Sequence, residues 1–96
     1  MQFLFVIGRS DAGRDAVFAG AQLKSEIDRV RELYAGGVVR SIWSRGEAAG
    51  ACLLVEEVDY ESAKASVATL PLMQAGMLQI ESCITLQPYR GFAAIE

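Results

Sequence analysis

The sequence predicts an α+β domain in the order β-α-β-β-α-β. Three observations point to it. Four short segments are rich in β-branched, aromatic and aliphatic residues, two segments between them place apolar residues at helical spacing among charges, and the junctions hold glycine, proline or aspartate. Ninety-six residues suit one domain, 1–96, and a chain this short buries only about 60–68% of the surface its unfolded form exposes. Association is therefore expected.

The first element, QFLFVIG over residues 2–8, is a strand by its Phe, Val and Ile content and closes at Gly8 and the polar turn Arg9-Ser10-Asp11-Ala12-Gly13. Over residues 14–35 the period changes. Leu23, Ile27, Val30 and Tyr34 recur at spacings of four, three and four, with Lys24, Glu26, Asp28, Arg29, Arg31 and Glu32 on the other faces. That pattern predicts an amphipathic helix, stopped by Gly36-Gly37. Gly20 lies inside this span at a cost of up to about 1 kcal/mol relative to Ala, and marks either close packing or a later helix start. VVRSIWSR over 38–45 and ACLLVEEV over 51–58 read as the strands of a hairpin around Gly46-Glu47-Ala48-Ala49-Gly50. Asp59 caps a second helix reaching about residue 69, with Glu61 near its positive end. Pro71 ends that helix, and after Gly76 the segment LQIESCITL is a fourth strand that stops at Pro88-Tyr89-Arg90-Gly91.

This order is the ferredoxin-like split βαβ arrangement, in which two helices cover one face of a four-stranded antiparallel sheet with spatial order 4-1-3-2. Strand one sets Phe3, Phe5 and Ile7 against Leu4 and Val6, and strand three sets Ala51, Leu53 and Val55 against Cys52 and Leu54. Both faces are apolar. A wet face would alternate apolar with polar, and an exposed apolar face of this extent exceeds what soluble monomers usually tolerate. The tail RGFAAIE is too short to cover it, so the expectation is a homodimer with two sheets facing one another. In strand four, alternation puts Leu78, Ile80, Ser82, Ile84 and Leu86 on the core side and Gln79, Glu81, Cys83 and Thr85 on the other.

Composition removes several classes of function. The chain is 52% hydrophobic, yet no run approaches the ~18 apolar residues of a membrane span, so no membrane partner is expected. MQFLFVIGRS lacks the charge order and small-residue site of a signal peptide, which predicts a cytoplasmic protein. A net charge of −3, with nine basic residues scattered along the chain, gives no basic patch for nucleic acid. The absence of histidine excludes the usual zinc motifs and the Ser-His-Asp and Cys-His nucleophile arrangements. Cys52 and Cys83 fall on strands separated by strand one, beyond disulfide reach. The loop over 8–13 matches neither the Walker pattern nor the full dinucleotide fingerprint.

Two segments carry a family likeness. VVRSIWSRGEAAGACLLVEEVDYESAKASVATLPL and MLQIESCITLQPY, with Arg40-x-x-Trp43, the glycine turn, the acidic helix start at Asp59, Leu70-Pro71-Leu72 and Ile80-Glu81, resemble the muconolactone isomerase family of the dimeric α+β barrel superfamily. The likeness covers roughly residues 36–89. It implies a dimeric barrel with a small organic acid or lactone bound beneath each sheet, and cofactor-free proton-transfer isomerisation. The same superfamily also supports cofactor-free monooxygenation, and a non-catalytic ligand-binding or assembly module is the alternative outside enzymology. Strand one lacks the basic or histidine residues expected on the cavity side, and helix one offers no matched acidic and basic pair.

Proton transfer along an allylic system needs a base near the carbon acid and a donor for the developing enolate oxygen. Glu81 is the candidate base, in a polar row that either faces a cavity or forms a solvated strand face. Arg40 is the candidate for a substrate carboxylate, through its planar donor fork, or else an inter-strand or dimer ion pair. Trp43 is a pocket wall or a core or interface residue. Arg40 and Trp43 are three apart, so they share a side only if a bulge intervenes. No metal or organic cofactor is implied.

Overall fold

The computed structural model describes residues 1–92. It is an α+β domain of the ferredoxin-like kind: β1 (Gln2–Arg9), α1 (Gly20–Ala35), β2 (Val39–Ser44), β3 (Gly50–Glu56), α2 (Tyr60–Val67), α3 (Pro71–Gln74) and β4 (Leu78–Leu86), followed by a 3-10 turn, Arg90–Phe92. The four strands form one antiparallel sheet in the order β2-β3-β1-β4. Residues 93–96, most of the tail RGFAAIE, lie outside the described residues.

The helices cover the face carrying Phe3, Phe5 and Ile7. Those side chains pack with Leu53, Val55 and Val39 of the sheet and with Leu33, Ala63, Val67 and Leu70 from the helical layer. Phe3, Phe5, Ile7, Val39, Leu53, Val55 and Val67 are fully buried, each contributing about 1.5–3 kcal/mol of gross transfer free energy. Tyr60, at the start of α2, lays its ring along Phe5 with centroids 6.4 Å apart. Asp59 caps α2 as the sequence predicts, its Oδ1 accepting from the Ser62 backbone N–H at 2.7 Å. At the end of α1, Gly37 adopts φ 79°, the left-handed conformation that glycine tolerates.

Helix α1 starts at Gly20, six residues later than the span 14–35 predicts, because residues 11–19 are taken up by turns and a connecting segment. It is also rotated. The residues turned inward are Glu26, Val30 and Leu33, whereas Leu23, Ile27 and Tyr34 of the predicted stripe remain 44%, 50% and 64% exposed. Val30 belongs to both rows, and packing against the sheet selects the row that contains Glu26. Pro71 does not lead straight to the last strand either. It opens α3 at its first position, where a missing N–H costs nothing, while Leu70 before it is extended at ψ 129°.

Two bulges reset which side chains share a face. In β4, Val6 pairs with Ser82 but Ile7 pairs with Ile80, which leaves Glu81 as the extra residue. The expected row of Gln79, Glu81, Cys83 and Thr85 is therefore broken. Cys83 packs against the core opposite Phe5, and Ile84, predicted inside, is 51% exposed opposite Leu4. Strict alternation would have placed the Ser82 hydroxyl between Ile80 and Ile84 in the core. The bulge puts the thiol of Cys83 there instead, and burial pushes that thiol upward in pKa. In β2, Val39 pairs with Val55 and Ser41 with Leu54, so Arg40 is the extra residue and Trp43, opposite Cys52, turns to the open face.

Candidate functional site

At the end of the sheet where β1 and β2 finish and β3 and β4 begin, a cleft of about 240 Å³ opens between the helix-facing side and α1 with α3. Its wall is largely apolar, with Ile7, Ile42, Leu53 and Leu78 from the sheet and Leu23, Val30 and Leu72 from the helical side. Two charged residues interrupt it, Arg9 and Glu26.

Glu26 reaches the cleft because the rotation of α1 brings it in line with Val30 and Leu33. Its Oε1 accepts the Leu72 backbone N–H at 3.0 Å, satisfying one of the free donors at the start of α3. Burial raises its pKa above the ordinary carboxylate value, and the hydrogen bond from Leu72 opposes this only in part. A carboxyl whose charged form is disfavoured in this way, on a largely apolar wall, is a stronger base than a solvated carboxylate and suits proton transfer.

Arg9 is the last residue of β1, on the same side as Ile7 by alternation. Its Nη1 donates to the carbonyl oxygens of Gly13 at 2.8 Å and Ala16 at 2.6 Å, and its guanidinium lies 4.6 Å from the centroid of the Phe18 ring. These contacts fold the segment before α1 over the guanidinium, with Phe18 as a further wall of the cleft.

The three residues singled out from sequence lie elsewhere. Glu81 sits across the sheet from the cleft, over Gly8, where a β-carbon would collide with its Oε2. It pairs with Arg45 Nη1 at 2.9 Å, and Arg45 also pairs with Glu47 at 2.8 Å. Those two partners raise the Arg45 pKa, and Arg45 in turn holds the Glu47 carboxyl below its usual range. Trp43 is 53% exposed on the same open face, in the edge strand β2 opposite Cys52. Arg40 is exposed at its bulge and adds a small share to the lowering of the Glu56 pKa, which the terminal ammonium of Met1 dominates. The bulge thus meets the condition for Arg40 and Trp43 to share a side, but neither lines the cleft.

Sequence reasoning passed over Arg9 and Glu26. Arg9 reads as the first residue of a turn, although one more residue of strand places it on the core side. Glu26 is spaced four and seven residues before Val30 and Leu33, a row as regular as the one beginning at Leu23. Among the described residues, no three His, Cys, Asp or Glu side chains gather as a metal site would need, and no helix is long and apolar enough to cross a membrane. No protein-family model and no curated protein matches the chain.

Proposed function

We propose that the chain binds a small organic acid or lactone in the cleft and isomerises it by cofactor-free proton transfer, working as a homodimer. One observation carries the reading: Glu26, a carboxyl with a pKa raised by burial, stands on the wall of a largely apolar cleft. Glu26 takes the proton from the carbon acid and returns it along the allylic system, while the apolar wall seats the body of the ligand. On this reading the base is Glu26 of α1 in preference to Glu81, whose carboxylate pairs with Arg45 on the other face. The muconolactone isomerase resemblance supports the same class of reaction.

The homodimer accounts for the open face. Leu4, Val6, Cys52 and Leu54 are only partly covered there, and Trp43 and Ile84 remain half exposed. Pairing two such faces removes an apolar patch that water disfavours and closes the sheet-on-sheet barrel.

The hydrogen bond from Leu72 favours a second reading, in which Glu26 serves only to cap α3 and the cleft binds without catalysis. Muconolactone incubated with the protein in D2O separates the two. Proton transfer predicts deuterium entering the lactone and a shifted double bond, seen by proton NMR, with a loss of at least about 10²-fold in Glu26→Gln. Saturable binding with exchange no faster than in buffer would leave the binding module.

A further inference from the structure

We propose that Arg9 is the carboxylate anchor of the cleft and that it makes the site select a small organic carboxylate over a neutral molecule of the same shape. The inference rests on the binding reading above and deepens it. Of the nine basic side chains, Arg14, Lys24, Arg29 and Arg45 pair with carboxylates, while Arg31, Arg40, Lys64 and Arg90 lie at exposed positions. Arg9 alone is partly buried and has no carboxylate partner among the described residues.

A guanidinium drawn out of water loses hydration that must be replaced. Two carbonyl oxygens and the face of Phe18 replace part of it, and both carbonyl bonds use the same nitrogen, Nη1. Guanidinium has five N–H donors, so those on Nε and Nη2 remain for a planar anion, which matches a carboxylate's two oxygens. The carbonyl bonds and Phe18 fix the orientation of the fork before any ligand arrives, which lowers the entropy lost on binding.

The cleft holds a complementary group. Glu26 lines it too, yet no ion pair joins Glu26 to Arg9. The two charges are left to act on different parts of one ligand, its carboxylate at Arg9 and its acidic carbon at Glu26. A volume of about 240 Å³ is below the range of drug-sized pockets, so the ligand body is small and mostly apolar. A neutral lactone without an acid group would leave the guanidinium unmatched.

Benzoate and benzamide, similar in shape and different in charge, test this by NMR titration of the nitrogen-15-labelled protein at neutral pH. Benzoate is expected to move the backbone amides of Leu23, Ala51 and Leu78 and to bind at least about tenfold more tightly than benzamide. Arg9→Gln should erase that preference, and Arg9→Lys should keep part of it. Equal affinity of the two probes for the cleft would overturn the anchor while leaving cleft binding intact. A benzoate preference unchanged in folded Arg9→Gln would overturn it as well. If neither probe moves those amides, the cleft reading itself falls. The comparison on the unaltered protein needs no variant to fold.

Discussion

Replacing Trp43 by Ala tests the homodimer, because this side chain is the largest apolar group on the open face. An aromatic of this size presents up to about 250 Å², and Trp43 is 53% exposed, so full coverage in a dimer would bury roughly 130 Å². At ~25 cal/mol per Å² that is up to about 3 kcal/mol for each protomer. An isologous interface contains the residue twice, which makes the upper bound about 6 kcal/mol, or about 10⁴-fold in the dimer dissociation constant. The control is one residue away. Ile42 is 43% exposed but pairs with Leu53 on the other side of the sheet and lines the cleft. Sedimentation velocity between roughly 1 and 100 μM should show the unaltered protein and Ile42→Ala as dimers, and Trp43→Ala as a monomer over most of that range. If Trp43→Ala is as dimeric as the unaltered protein at every concentration, or if Ile42→Ala is the variant that dissociates, the sheet-on-sheet assembly is wrong.

Gly8→Ala should lower the urea midpoint, since the added methyl group displaces the Glu81 carboxylate from Arg45; in a Glu81→Ala background the same change should cost nothing, and an equal loss in both would refute the bulge geometry. The raised pKa of Glu26 means that the native state holds this proton at pH values where the unfolded chain has released it. Stability should therefore fall as pH rises from the ordinary value of 4.5 through the native one, and Glu26→Gln should flatten that part of a pH series of thermal melts. Phe5→Ala, at a fully buried position, should cost about 3–5 kcal/mol in denaturant unfolding, against a total of about 5–15 kcal/mol for an ordinary domain.

The candidate site was only partly legible in the sequence. Arg40, Trp43 and Glu81 attract attention because each is a charged or large aromatic residue in a strand, and the structure places none of them on the cleft wall. Arg40 and Glu81 are the extra residues of two bulges, which is why polar groups are accommodated in otherwise apolar strands. Arg9 and Glu26 attract no attention, one at a strand end and the other on a helix dense in charge. Their proximity to one cleft arises from residues distant in sequence, Leu53, Leu72 and Leu78 among them.

Local chemistry by itself determined the order of elements, the Asp59 cap, the stop at Gly36-Gly37 and the apolar character of both faces of β1 and β3. These features depend on residue type, alternation and backbone freedom over a few positions, all of which are written in the chain. Tertiary packing alone decided the rotation of α1, the helical turn at Pro71 and the two points where strand alternation slips by one. A helix with two equally regular rows turns toward the sheet whichever fits Phe5, Ile7 and Leu53, here the one that carries Glu26 with Val30 and Leu33, and a strand bulges where its neighbour's pairing keeps a serine out of the core. Those choices are made between segments, and they place the carboxyl of Glu26 inside and that of Glu81 outside.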